Sequence, residues 1–193
     1  MSPRQTITAV PCGEANTSGL PVATLPSAED VRQRIDALQA MAVLDTPPEE
    51  GYDALVRLAA NVSGMPIALV SLVDGDRLWF KAVHGLDVRT IDSARSFCAE
   101  AANSKCLLEV SNARLDPRFA ASELVCGELG IRYYAGAPIV FNNVAIGTVC
   151  VLDFAPRTLG RERFAALTEM ANIAAVMLRA RIEAFALLSQ LRQ

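Results

Sequence analysis

Residues 67–73 read IALVSLV and admit almost no polar side chain. A run this short and this apolar predicts a central strand covered on both faces, since a half-exposed strand would alternate. Asp74, Gly75 and Asp76 supply a turn after it. Leu78, Phe80 and Ala82 then alternate with Arg77, Trp79 and Lys81, which predicts a half-exposed partner strand. A second hairpin is read in IRYYAGAPIVFNNVAIGTVCVLD, with strands near 132–140 and 144–153 and Asn142-Asn143 at the turn. Strands joined by such tight turns form a largely antiparallel sheet.

Helices are expected before, between and after the hairpins. Ser27 is a candidate N-cap, with Asp30 three residues on, and Val31, Ile35, Leu38 and Ala42 mark the apolar face of a helix to about Val43. LDTPPEE stops it. Thr46 is read as the next cap, Pro47 as the first helical position, and Tyr52, Leu55, Ala59 and Val62 as the buried stripe. A short helix is expected from Ser96 to Asn103, a short strand in CLLEV at 106–110, and another short helix capped by Asp116. From Leu159 one long helix carries Leu167, Ala171, Ala174, Leu178, Ile182, Phe185 and Leu188, farther than one small sheet can cover. The order implies an α+β layered domain over 27–193. Residues 1–26, rich in Thr, Ser, Pro and Gly, read as a flexible leader that holds Cys12.

Composition removes several function classes. The net charge is −3, and Lys81 and Lys105 are the only lysines, so no basic field for nucleic acid and no polybasic membrane anchor exists. No apolar run has the length of a membrane span, and the N-terminus lacks the apolar core of a signal peptide. A cytoplasmic location without a membrane partner is expected. The five cysteines are then expected as thiols. No Cys-x-x-Cys occurs and His84 is the only histidine, so no metal site is expected.

The arrangement, together with LDTPPEEGYDALVRLAA, PIALVSLVDGDRLWFKAVHGL, SFCAEA, DPRFAASELV, GIRYYAGAPI and IGTVCVLDFAPRTL, resembles a GAF domain over about Ala28 to Leu191. It is most similar to bacterial GAF modules found with histidine kinases and diguanylate cyclases. The resemblance implies a central antiparallel sheet with the N- and C-terminal helices on one side. Short helices and loops would cover a ligand pocket on the other. It also implies a sensory module, and long terminal helices that pair in a homodimer and carry the signal. The kinase and cyclase proteins continue into an output domain and this sequence does not. The expectation is a fragment of a longer protein or a module that works through a signalling partner.

Within that frame Cys98, Arg132, Tyr134 and Cys126 are the candidate ligand-binding residues. Cys98, two positions after the Ser96 cap, is either a thiol made acidic by the helix N-terminus and Arg95, against Glu100, or a small side chain packed under the helix. Arg132 either holds an anion through its fork of donors or pairs with Glu123 or Glu128. Cys150 is read as core, Trp79 as half-buried, and Arg179, Arg181 and Glu183 as a solvated helix face.

No cofactor is assigned. A covalent bilin would want a histidine beside Cys98, where Ala99 stands, and an Asp-Ile-Pro segment that is absent. Haem would need an axial ligand, and His84 falls in a strand-end turn. The residue signature of cyclic-nucleotide GAF domains is not recognisable. The enzymatic alternative is a free methionine sulfoxide reductase, with Cys126 as attacker and Cys98 or Cys106 as resolver. Its pocket acids are unmatched: Tyr134 stands where a glutamate would be, and Cys150 or Leu152 where aspartates would be. The favoured reading is therefore a non-catalytic sensor of an unidentified small molecule, with a ligand-free dimerisation module as the third possibility. A polar cavity ringed by Arg132, Tyr134 and Cys98 would favour the sensor, and a filled apolar one the ligand-free module.

Overall fold

Both hairpins form, and they lie side by side. A computed structural model describes residues 26–93 and 96–190, apart from the side chains of Phe185, Leu188 and Ser189. The leader apart from Pro26, Cys12 and Arg95 fall outside the described residues, as do the side chains of the last two apolar positions expected on the long helix. The strands are β1 (Ile67–Asp74), β2 (Arg77–His84), β3 (Thr90–Asp92), β4 (Leu108–Val110), β5 (Tyr133–Phe141) and β6 (Val144–Asp153). They make one antiparallel six-stranded sheet in the order β3-β2-β1-β6-β5-β4. Asn142 and Asn143 turn the second hairpin with φ of 48° and 63°, a left-handed pair that asparagine tolerates. Every residue of β6 is buried, and β1 is buried from Ile67 to Val73.

Three helices cover one face: α1 (Ala28–Met41), α2 (Glu50–Ser63) and α5 (Arg161–Gln190). Two short ones, α3 (Phe97–Ser104) and α4 (Glu123–Cys126), lie over the other. Ser27 caps α1 as expected, accepting from the Asp30 N–H. The buried stripe of α1, however, is Arg34, Leu38 and Met41. The Arg34 guanidinium donates to the Ala145 carbonyl at 2.8 Å and to Asn103 at 3.0 Å. That carbonyl sits where the β5–β6 register shifts, so the ladder leaves it for a side chain to satisfy.

Thr46 does not cap α2, which begins at Glu50 with Glu49 as its cap residue. Pro48 disfavours the helical region for Pro47, which delays the helix. Thr46 instead donates to the Val43 carbonyl and accepts from the Lys81 ammonium at 2.7 Å. The region after Asp116 also begins differently. It makes one turn, and α4 starts later, capped by Ser122.

The expectation of a half-exposed β2 fails. Trp79 and Lys81 are both buried, because the 42–49 segment and α2 cover that face. A buried ammonium needs partners. Lys81 has the Pro47 carbonyl at 2.9 Å and the Glu49 carboxylate at 2.6 Å, and it lies near the ring faces of Tyr52 and Trp79. Arg181 of α5 pairs with the same carboxylate and donates to the Met41 and Ala42 carbonyls at the C-terminus of α1. Arg179 and Glu183 are exposed as expected, but Arg181 is half-buried and ties α5 to the domain. Leu167, Met170, Ala171, Ala174 and Leu178 bury the first part of α5. At 1.5 Å per residue the helix is about 45 Å long, so its end projects beyond the sheet.

Burial alone would raise the Glu49 carboxyl, but Lys81 and Arg181 outweigh it and hold the group below its ordinary 4.5. The unfolded chain therefore takes up this proton first as the pH falls. The stabilisation is present above about pH 4.5 and is lost as the pH drops through the folded-state value. Glu49→Gln is expected to cost about 1 kcal/mol at pH 7, since solvent screens part of the pair. Urea melts from pH 7 to pH 3 should show a shallower acid loss in the variant; parallel curves would remove Glu49 from the account.

Candidate functional site

The site is built where α3 lies on the sheet. Ser96 starts α3 as expected, its hydroxyl accepting from the Ala99 N–H at 3.1 Å. Phe97, Cys98, Ala101 and Ala102 then face inward. Beneath them β6 presents Thr148, Cys150 and Leu152, which the register sets opposite Ser71, Leu69 and Ile67 of β1. On the other side β5 places Gly136 opposite Cys150 and Tyr134 opposite Leu152. The two sulfurs, Cys98 Sγ and Cys150 Sγ, stand 3.6 Å apart, and both cysteines are buried.

Gly136 decides where Tyr134 goes. The two side-chain positions share a face two residues apart. A Cβ on Gly136 would lie 2.1 Å from the Tyr134 hydroxyl and 2.6 Å from Cζ, so the ring occupies the space a side chain would fill. It lies along the strand and brings its hydroxyl to the sulfur pair. Phe97 stacks on it with centroids 5.0 Å apart at 15°, and Phe119 tilts against Phe97 at 4.5 Å.

Three hydroxyls surround the sulfurs: Ser71 Oγ, Thr148 Oγ1 and Tyr134 Oη. All are buried, and none makes a well-formed hydrogen bond among the described residues. They nevertheless face the Cys98 sulfur closely enough to favour its anion. The Cys150 thiol is the largest influence drawing Cys98 down, and it works against burial with help from Thr148, Ser71 and Tyr134. Cys150 moves the other way, raised by burial and then by Cys98. Burial also raises Tyr134 strongly, so it remains a neutral donor. Cys98 is thus the more acidic member of the pair.

Beside Cys98 lies a small, almost wholly apolar cavity of about 30 Å³. Leu69, Leu78 and Phe80 form its floor, and Leu124 of α4 and the 86–91 segment close it. No carboxylate lines it.

Of the four ligand-binding candidates, the fold brings Cys98 and Tyr134 together. Arg132 is turned elsewhere and donates to the Val125 and Ile131 carbonyls at 2.8 and 3.0 Å, which fixes the end of α4. Cys126 is exposed and its thiol donates to the Ser122 carbonyl at 3.0 Å. Cys106 is half-buried in the turn after α3 and is not among the free thiols Cys98, Cys126 and Cys150. His84 is exposed at the end of β2. Cys150 is the member that sequence reading left in the core, and Ser71 and Thr148 are members it did not single out. Their signal was available: Ser71 is the one polar residue of IALVSLV, and Thr148 and Cys150 alternate onto one face of β6.

Among the described residues no group of three or more His, Cys, Asp or Glu is placed to hold a metal ion. No helix among them is long and apolar enough to cross a membrane.

An antiparallel sheet with long terminal helices on one face and short helices closing a pocket on the other defines an α+β layered domain. The chain belongs to the GAF domain family, whose description matches residues 47–178. A cyclic di-GMP phosphodiesterase of Pseudomonas aeruginosa is 38% identical over 149 residues, 77% of this chain. The chain spans a quarter of that relative's length, the matched portion being 25% of it. The GAF domain of a phosphoenolpyruvate-protein phosphotransferase from Coxiella burnetii superposes with a TM-score of 0.61 at 14% identity, covering 80% of this chain and 98% of that one. The type II free methionine-R-sulfoxide reductase of Thermoplasma acidophilum superposes with a TM-score of 0.58 at 13% identity, covering 68% and 92%. At these identities both structures carry the fold alone.

Gly136→Ala is expected to displace the Tyr134 ring and cost about 1–3 kcal/mol, as overpacking does. Denaturant melts measure it. A variant within about 0.5 kcal/mol of wild type would show that the ring has somewhere else to go.

Proposed function

We propose that this chain is a non-catalytic sensory module that reads the packing beneath α3 and relays it to α5. The observation that carries this reading is the chain of contacts through β2. Leu78 and Phe80 form the cavity floor on one face of that strand. Lys81, on the other face, holds Glu49, and Glu49 holds Arg181 of α5. A shift in β2 therefore reaches the long helix in two ionic steps. The relay requires that whatever occupies the pocket favour one placement of α5 over another.

The apolar lining supports a small apolar ligand that enters by parting α4 from the 86–91 segment. In the related phosphodiesterase the matching segment is a quarter of a longer protein. By that likeness the output here would be control of an attached or partner signalling enzyme. A homodimer is supported by α5, which exposes Ile173, Val176 and Leu187 on one stripe, and by Leu58 and Val62 on α2. Helix α1, the other element expected to pair, exposes no large apolar side chain.

The ligand-free dimerisation reading has its own support, because the cavity is nearly filled. The reductase reading has less: Cys126 and Cys98 are engaged with different partners, and the cavity lacks an acid to protonate a sulfoxide.

Leu124→Phe fills the cavity and stands in for an occupant. Hydrogen exchange in α5 beyond Leu178 is expected to change several-fold, and Arg181→Ala is expected to abolish that response. Unchanged exchange in Leu124→Phe would overturn the relay. Native mass spectrometry of the purified chain reports a retained ligand and the dimer together; a monomer at high concentration would remove the homodimer.

A further inference from the structure

We propose that Cys98 and Cys150 form a hydroperoxide-sensitive pair that closes to a disulfide beneath α3. The inference goes beyond the relay, and the two fail separately: one is read at sulfur, the other at α5.

Geometry carries it. The sulfurs are 3.6 Å apart and a disulfide is about 2.05 Å, so closure needs about 1.5 Å of combined sulfur movement. Thiols this close in a core are ordinary only if their surroundings are apolar, and here they are not. Three buried hydroxyls lie beside Cys98 with no hydrogen-bond partner among the described residues. Leaving three such groups unsatisfied is costly, and a thiolate at Cys98 would accept from all of them. Cys98 also sits in the first turn of α3, whose free N–H groups favour an anion.

Access and size agree. Cys98 lines the cavity of about 30 Å³, above the roughly 10–15 Å³ that a single water requires. Hydrogen peroxide fits such a space. Cys126 differs in being exposed, and its thiol bonds the Ser122 backbone carbonyl.

The chemistry balances. The Cys98 thiolate attacks one peroxide oxygen; the S–O bond forms as O–O breaks, and the departing oxygen takes up the proton that Cys98 released and leaves as water. Cys150 then attacks the Cys98 sulfenic acid. The S–S bond forms, the S–O bond breaks, and the hydroxyl leaves as a second water with the Cys150 proton. Two thiols lose two electrons to the peroxide. The product ties α3 to β6 under the Phe97–Tyr134 stack.

The test uses the full chain, fully reduced and then exposed to a modest excess of hydrogen peroxide. Remaining thiols are alkylated in denaturant and the digest is mapped by mass spectrometry. The expected result is a linked Cys98–Cys150 peptide, two hydrogens lighter than its parts and released by dithiothreitol. In Cys150→Ser, dimedone should capture sulfenic acid at Cys98; in Cys98→Ser, capture at Cys150 should be at least tenfold lower. If Cys98 and Cys150 remain separately alkylated while Cys126 is oxidised, the proposal is wrong. The wild-type map alone decides it, whether or not either variant folds.

Discussion

The central pair β1–β6 sets the terms for everything around it. Neither strand has a face that meets water, since β6 is buried throughout and β1 through Val73. Both sides of the sheet must therefore be covered, and the chain covers them unequally. Long helices from the two ends supply one layer. The other is made from α3, α4 and the loops beside them, together much shorter. A thin layer packs less completely over a six-stranded sheet, and that is where the cavity and the thiol cluster lie.

The thick layer has its own demand. A lysine on the inner face of β2 must be neutralised or paired, because an isolated buried ammonium is too costly. Thr46, Pro47 and Glu49 meet it from the segment between α1 and α2. Glu49, the cap residue of α2, also bridges to Arg181. One buried charge thus fixes a loop and the docking of the long helix, and its pairing spans the layer from the sheet to α5.

Elements with a local cause were legible in the sequence. The hairpins followed from apolar runs and turn residues, and the Ser27 and Ser96 caps from a hydroxyl ahead of a helical stripe. The misreadings at Lys81 and Arg181 share one reason, and Arg34, which the expected stripe of α1 left out, shows the same one. Each is a polar side chain whose position is set by a partner 34 to 140 residues away. Periodicity assigns such residues to the solvent side, because it weighs polarity and does not see the carbonyl or carboxylate waiting inside. The site was half legible for the same reason. Cys98 and Tyr134 stood out through the cap and the aromatic strand. Cys150 and Ser71 needed the strand register, which places β1 and β5 on either side of β6.

The register also explains why the cluster is polar at all. Ser71 and Thr148 are a cross-strand pair in the middle of otherwise apolar strands, and valine at either position would keep the β-branched shape or volume without a hydroxyl. Tyr134 could be phenylalanine and keep its stack on Phe97. The place of a side chain at Gly136 is filled by the very ring whose hydroxyl has no hydrogen-bond partner among the described residues. Three positions thus carry a buried hydroxyl without a hydrogen-bond partner among the described residues, and all three converge on two sulfurs. A core selected for packing alone would gain by removing any of them. Their convergence is better explained by a charge or a bond that forms at the sulfurs than by the covering of a sheet.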